Sequence, residues 1–372
     1  MIKIFKAEPE VGTIIDSEDI KAVCEELRKF NNPLYDHNKT ISVFENEFLK
    51  LIGNKYAIAV NSCASGIDMV LRYLSLNPGD EIISCANNFH GTHLSILNAG
   101  AKLVLVKANE DINIDVTDLK EKITERTRAI VVTHMNGLSC DMDNIMDAVK
   151  GTDIKIIEDA ARSLGGKYKG GIIGKNSWAC IYSFQYKKMI TTLGEGGMIV
   201  TNDTDLRNSL IRYRSFGLGE AWGTNFKITS VQAAVGMTQL KRLDSLIEKR
   251  RQLALKRTSC ITNKLFEFKC PTDNEIYYNV FYLYTILVPN TWSKEKRDIL
   301  ISLMKEKNIH CAIANPPTYE YNKFIYANCP DRVRESELIG NRIICLPIHP
   351  DMAEAENKYI VDSFIELVQK IY

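Results

Sequence analysis

The sequence predicts an α/β fold, a mostly parallel sheet covered by helices on both faces, followed by a smaller α+β unit. Three observations carry this expectation. From about residue 56 to 205, short apolar, β-rich runs alternate with helical stretches. Those runs are apolar at consecutive positions, which is how strands buried on both faces read. After Cys270-Pro271 the texture changes to a strand over 280–288, a helix over 294–307, a strand over 343–346 and a closing helix over 353–371. We divide the chain into a large domain over 1–250, N-terminal helices included, and a small domain over 251–372.

Taken in order, the first element is an amphipathic helix over 17–30, ended by the turn-forming Asn31-Asn32-Pro33. A second helix over 41–52 places Phe44, Phe48, Leu49 and Ile52 at helical spacing. Strands are then expected over 56–60, 81–84, 103–106, 129–133, 154–157, 178–183 and 198–201, with a helix over 67–76 after the first. A long charged helix over about 229–257 leads into the small domain.

Composition narrows the function. The 372 residues hold 47 Lys+Arg and 46 Asp+Glu, a net charge of +1. That balance argues against capture of nucleic acid or anionic lipid by bulk charge. With 45% hydrophobic and 25% charged residues the chain reads as globular. No apolar run reaches the ~20 residues of a membrane helix. The start Met1-Ile2-Lys3-Ile4-Phe5-Lys6-Ala7-Glu8 has no signal-like apolar core. The ten cysteines are scattered without a Cys-x-x-Cys, and the six histidines form no His-Glu-x-x-His. We therefore expect no metal site, and a reducing, cytoplasmic setting.

In an open parallel sheet, ligands gather at the carboxyl ends of the strands. After the first strand comes Asn61-Ser62-Cys63-Ala64-Ser65-Gly66, opening a helix. Small and hydroxylic residues there suit an anion, and equally an ordinary Ser or Asn cap. After the second strand, Asn87-Asn88-Phe89-His90 offers an aromatic that could stack on a flat heterocycle or simply fill core. His90 and His93 read as surface or packing residues. Glu158-Asp159-Ala160-Ala161-Arg162 puts a carboxylate at the end of a buried strand, costly without a partner unless it caps a helix. Ser183-Phe184-Gln185-Tyr186-Lys187-Lys188 runs into Gly194-Glu195-Gly196-Gly197 and the next strand. A lysine over a partly desolvated pocket can act as a Schiff-base nucleophile; a Lys-Lys pair in a loop is otherwise a solvated surface. The glycine spacing of 170–174 excludes a nucleotide P-loop, and Gly217-Leu218-Gly219 lacks a Rossmann context.

Together these segments, with Thr224-Asn225-Phe226-Lys227-Ile228-Thr229-Ser230-Val231-Gln232-Ala233-Ala234 and the late Leu346-Pro347-Ile348-His349-Pro350, fall in a known order. The chain resembles the DegT/DnrJ/EryC1/StrS sugar aminotransferases over nearly its whole length. The resemblance implies the aspartate aminotransferase-like fold type I with a seven-stranded sheet, and pyridoxal 5′-phosphate (PLP) as cofactor. It puts the lysine that bonds the cofactor at Lys188, counted from either flank, and the partner of the pyridine nitrogen at Asp159. Phe89 falls on the stacking ring; Ala64, Ser65 and Ser183 fall on the phosphate. Asn225, with Lys227 less securely placed, would come from the neighbouring subunit, implying a homodimer with shared active sites.

Four departures bear on the substrate, one of them the tight-turn region near Asn32-Pro33-Leu34-Tyr35, which is unlike the family's usual form. Arg162 stands where the family usually has Gln near the cofactor's phenolic oxygen, where a cation would favour the phenolate. Ala64 replaces a common Thr. Ala314-Asn315-Pro316-Pro317-Thr318-Tyr319 replaces the usual acceptor segment. The expected reaction moves an amino group from glutamate or glutamine to a keto group of a nucleotide-linked sugar, in polysaccharide biosynthesis. The alternatives are the same chemistry on a keto-cyclitol or ketose phosphate, or a PLP-binding protein without transaminase activity.

Overall fold

The computed structural model describes residues 3–371. Strand β1 (Phe5–Lys6) and helices α1 (Ser17–Lys29) and α2 (His37–Ile52) come first. Asp16 and Asp19 form a capping box at the start of α1. Helix α2 begins four residues before the expected 41, because the Asp36 side chain accepts the Asn38 N–H and caps it there.

The main sheet is built from β2 (Tyr56–Val60), β3 (Glu81–Cys85), β4 (Lys102–Val106), β5 (Thr127–Thr133) and β6 (Lys155–Asp159). After the short hairpin β7 (Lys167–Tyr168) and β8 (Gly171–Ile172), β9 (Ala179–Ser183) and β10 (Gly197–Thr201) complete it. Helices α3 (Cys63–Tyr73), α4 (His90–Asn98), α5 (Val116–Lys122), α6 (Met142–Ala148) and α7 (Thr204–Arg214) connect or follow these strands. The seven strands lie in the order β2-β10-β9-β6-β5-β3-β4. Only β10 runs against its neighbours, β2 and β9. The C-terminal ends of the other six therefore share one edge with the start of β10, and the site forms at that edge.

Alternation along each strand splits the core into two layers, as the two-residue strand period requires. Ile83, Ile130, Cys180 and Met198 pack with Phe44, Phe48 and Phe184 on one face. Ile82, Val131, Ile157 and Ile181 pack with Ile67, Val70 and Leu206 on the other.

Helix α8 (Ser230–Lys264) is 35 residues long, capped at its start by Thr229 and Gln232. It runs past the expected end at 257. Leu243, Leu246 and Ile247 join the first core layer, whereas Leu253, Ala254 and Ile261 belong to a third core around Tyr284, Ile286, Leu346 and Phe364. Two buried arginines hold it there: Arg257 bonds Asn357 Oδ1 (2.7 Å) and Pro347 O (2.8 Å), and Arg250 bonds Gly12 O (2.5 Å).

Beyond it lie β11 (Tyr277–Tyr278), β12 (Tyr284–Leu287), α9 (Lys294–Glu306), β13 (Ile309–His310), α10 (Thr318–Tyr321), α11 (Lys323–Asn328), α12 (Arg334–Arg342), β14 (Ile343–Leu346) and α13 (Glu354–Ile371). The strand expected over 280–288 is shorter because residues before Tyr284 are docked on the large unit, Val280 N–H on Gly137 O and Leu283 N–H on Asn136 O. Strand β1 pairs with β13, so the N-terminal segment reaches the small unit. Among the described residues no helix is long and apolar enough to cross a membrane.

Candidate active site

At the carboxyl edge of the sheet lies a cavity of 340 Å³. Depressions of 640 and 680 Å³ exist elsewhere, but this smaller one holds a lysine facing a buried carboxylate at the strand ends. Around it stand Ala64, Phe89, Asp159, Arg162, Ser183 and Lys188, with Lys187 also on the wall.

Asp159 ends β6 and is 3% exposed. Its Oδ2 accepts the Thr92 hydroxyl at 2.7 Å and its Oδ1 the Ala161 N–H at 3.1 Å. Among the described residues it forms no ion pair, and its carboxyl group lines the cavity. Its neighbour Glu158 points to the other face, accepting from His134 Nε2 (2.7 Å) and the Gly174 N–H (3.2 Å). His134 Nδ1 accepts the Cys140 N–H at 3.0 Å, so the ring proton is on Nε2.

The lysine loop is a compact turn between β9 and β10. Phe184 N–H bonds Gly196 O, Tyr186 N–H bonds Gly194 O, and Thr192 N–H bonds Phe184 O. Gly194 and Gly196 take φ of 124° and 157°, which close the turn. The N-terminal strap presses on it from outside: Gly12 N–H bonds Tyr186 O at 2.9 Å. Lys188 Nζ lies 5.1 Å from the centre of the Tyr282 ring. Burial pushes the Cys63 thiol well up, with Asp159 adding to the rise and the Lys188 ammonium opposing it. Desolvation likewise raises the Glu195 carboxyl, again opposed by Lys188. The Lys188 charge is thus felt at both Cys63 and Glu195. Lys187 Nζ instead rests over Tyr186, 5.8 Å from its ring centre.

At the start of α3, Ser62 is the cap: its Oγ accepts the Ser65 N–H (3.1 Å) and pairs with the Ser65 hydroxyl (2.8 Å). The N–H groups of Cys63 and Ala64, in the first turn, have no helical acceptor and line the cavity side. Ser65 follows the lining residue Ala64 in that first turn. Phe89 is 50% exposed and stands at the mouth rather than in the core. Arg162 Nη1 donates to Asn136 Oδ1 at 2.9 Å. Asn225 lies apart, lining a different depression with Phe30, Tyr35 and Lys227.

Thr92, Tyr282, Glu8 and Glu195 also line the cavity and were not singled out in the sequence, although Glu195 sits inside the glycine turn that was. Thr92 is three residues beyond Phe89, one turn along α4, and that spacing is the only signal that could have found it. His93, on the same helix, is fully buried with Nδ1 2.6 Å from Thr318 Oγ1, a packing role.

A buried carboxylate and an amine that form no ion pair among the described residues, with free N–H groups at a helix start, suit a ligand with a cationic ring nitrogen, an aldehyde and a phosphate. These residues fit PLP. A family model described as the DegT/DnrJ/EryC1/StrS aminotransferase family matches residues 14–365. The GDP-perosamine synthase of Escherichia coli O157:H7 is 30% identical over 335 residues, 88% of this chain and 89% of that protein. The dTDP-3-amino-3,6-dideoxy-alpha-D-galactopyranose transaminase of Aneurinibacillus thermoaerophilus is 31% identical, over 86% of this chain and 88% of that one. Among solved structures, Helicobacter pylori PseC, an aminotransferase involved in the biosynthesis of pseudoaminic acid, superposes with a TM-score of 0.90 at 26% identity, covering 99% of this chain and all of that one.

Proposed function

Because the chain belongs to the DegT/DnrJ/EryC1/StrS aminotransferase family, and is a PLP-dependent aminotransferase of fold type I, we propose that it aminates a keto group of a nucleotide-linked sugar with Lys188 and Asp159 as its central residues. The sugar-nucleotide products named for the two curated relatives support this substrate class. The observation that carries the residue assignment is the buried Asp159 carboxylate, without a protein cation, sharing one cavity with Lys188.

When bound, PLP supplies the electron sink for the charge left on the substrate carbon as its proton departs. Asp159, oriented by the Thr92 hydroxyl and the Ala161 N–H, would keep the pyridine nitrogen protonated. Phe89, at the mouth, would stack on the ring. Ala64, Ser65 and Ser183 would take the phosphate, with the Cys63 N–H beside them, favoured by the positive end of α3. Lys188, on the cavity wall, would be the amine that holds the cofactor's aldehyde and, once freed by the donor amine, the base that moves the substrate proton.

Asn225 is assigned to the active site of a second subunit. The segment that carries it exposes Phe216, Leu218 and Trp222, a surface suited to burial against a copy. We also take residues 1–250 and 251–372 as the two domains, joined through α8, and place the enzyme in the cytoplasm. The test is direct. Purified protein should show a visible cofactor band that glutamate bleaches, and borohydride should fix a pyridoxyl group on the Lys188 peptide. Lys188→Ala should lose both signals and Lys187→Ala should keep both; the reverse result overturns the assignment.

A further inference from the structure

Arg162 is a cavity cation held through residues of both domains. Its Nη1 donates to Asn136 Oδ1 at 2.9 Å, and the same oxygen accepts Asn315 Nδ2 at 3.0 Å. The Asn136 amide in turn donates to Thr285 Oγ1 at 2.9 Å. Asn136 and Asn315 are each 6% exposed, so this relay is sealed. The guanidinium makes no other hydrogen bond to protein and no ion pair among the described residues, although Glu8 and Glu195 stand on the same cavity wall. It lies 5.5 Å from the centre of the Tyr282 ring, against which Lys188 Nζ lies at 5.1 Å. The two cations are therefore no farther apart than the sum of those lengths.

A fixed guanidinium with one nitrogen anchored and the rest of its fork open is built to take a carboxylate in two parallel hydrogen bonds. We infer that Arg162 is the subsite for a carboxylate of the amino donor, held in register with Lys188 by the Asn136–Asn315 relay. This rests on the transaminase reading above and adds to it the group that recognises the donor. Since Asn315 and Thr285 come from the small unit, the subsite is complete only while the two units are docked.

The test uses PLP-loaded protein and glutarate, a dicarboxylate with no amine to react. By calorimetry at low salt, Arg162→Gln should raise the glutarate Kd about tenfold or more, with Arg162→Lys between the two. Asn136→Asp keeps Arg162 but sets a carboxylate on Nη1, and should weaken glutarate as much as Arg162→Gln does. It also carries the test should Arg162→Gln fail to retain the cofactor. The half-bleaching concentrations of three donors then separate the source. A rise in Arg162→Gln for glutamate and glutamine but not 4-aminobutanoate marks the α-carboxylate; a rise for glutamate and 4-aminobutanoate but not glutamine marks the distal one. Unchanged glutarate affinity in both Arg162→Gln and Asn136→Asp overturns the inference. A wild-type band that no donor bleaches, with glutarate binding still dependent on Arg162, would instead remove the transaminase reading alone.

Discussion

Replacing Gly12 by Ala is the sharpest probe of how the lysine loop is held. A Cβ at this position would lie 1.9 Å from Lys187 O, 2.4 Å from Lys187 C and 2.8 Å from Lys188 O. The first of these falls about 1.5 Å short of ordinary van der Waals contact, and every atom met is backbone. No rotamer can relieve it, so the strap and the lysine loop must part. Parting them strains or breaks the Gly12 N–H bond to Tyr186 O and the Arg250 bond to Gly12 O. Overpacking costs about 1–3 kcal/mol, a neutral hydrogen bond about 1 and a charged one about 2 kcal/mol. Gly12→Ala should thus lose about 4–6 kcal/mol, a fall of roughly 8–24 °C in Tm at the 2–4 °C per kcal/mol of larger domains. A shift of ~1 Å in Lys188 should also slow the glutamate half-reaction on the order of 100-fold. The assay pairs calorimetry with stopped-flow bleaching of the visible band. Val361→Ala, in the small-unit core far from the loop, serves as a control for stability alone. Wild-type Tm and rate in Gly12→Ala would refute the reasoning, as would an equal loss of rate in Val361→Ala.

Further outcomes follow from the same geometry. Thr92→Val, nearly isosteric, removes one of the two hydrogen bonds on buried Asp159; at about 1.5–3 kcal/mol for a charged bond, the Kd for PLP measured by titration of apoprotein should rise about 10–100-fold. Burial pushes His93 down to about 3 from its ordinary 6.5, so below pH 6.5 the unfolded chain gains a proton that the native state refuses. Its contribution is full above pH 6.5 and falls by up to about 1.4 kcal/mol per pH unit towards pH 3; His93→Asn should flatten this acid limb in urea midpoints taken against pH. If Asn225 serves a neighbouring subunit, a mixture of inactive Lys188→Ala and Asn225→Ala proteins should regain part of the activity on subunit exchange. No regain after exchange verified by mass would argue that each site is complete within one chain.

The strands were legible because burial on both faces leaves consecutive apolar residues, and Ile157, Ile181 and Met198 lie in the core on that account. The residues at their ends were legible because sheet topology sends strand termini to one edge, which is why Asp159, Ser183 and Phe89 share a cavity. Thr92, Tyr282 and the Asn136–Asn315 relay carry no period or motif. They meet the site from a helix, from the small unit's first segment and from two turns with positive φ, and only the docking of those pieces selects them.

By itself the sequence determined the strand and helix order, the chemistry at the strand ends and the lysine doublet, because each follows from local pattern and a fixed sheet edge. Tertiary structure alone decided that Asp159 forms no ion pair among the described residues while sharing a cavity with Lys188, and that Asn136, which holds Arg162, is itself held by Asn315 and Thr285. Those are matters of distance between segments far apart in the chain, and burial makes each of them energetically decisive.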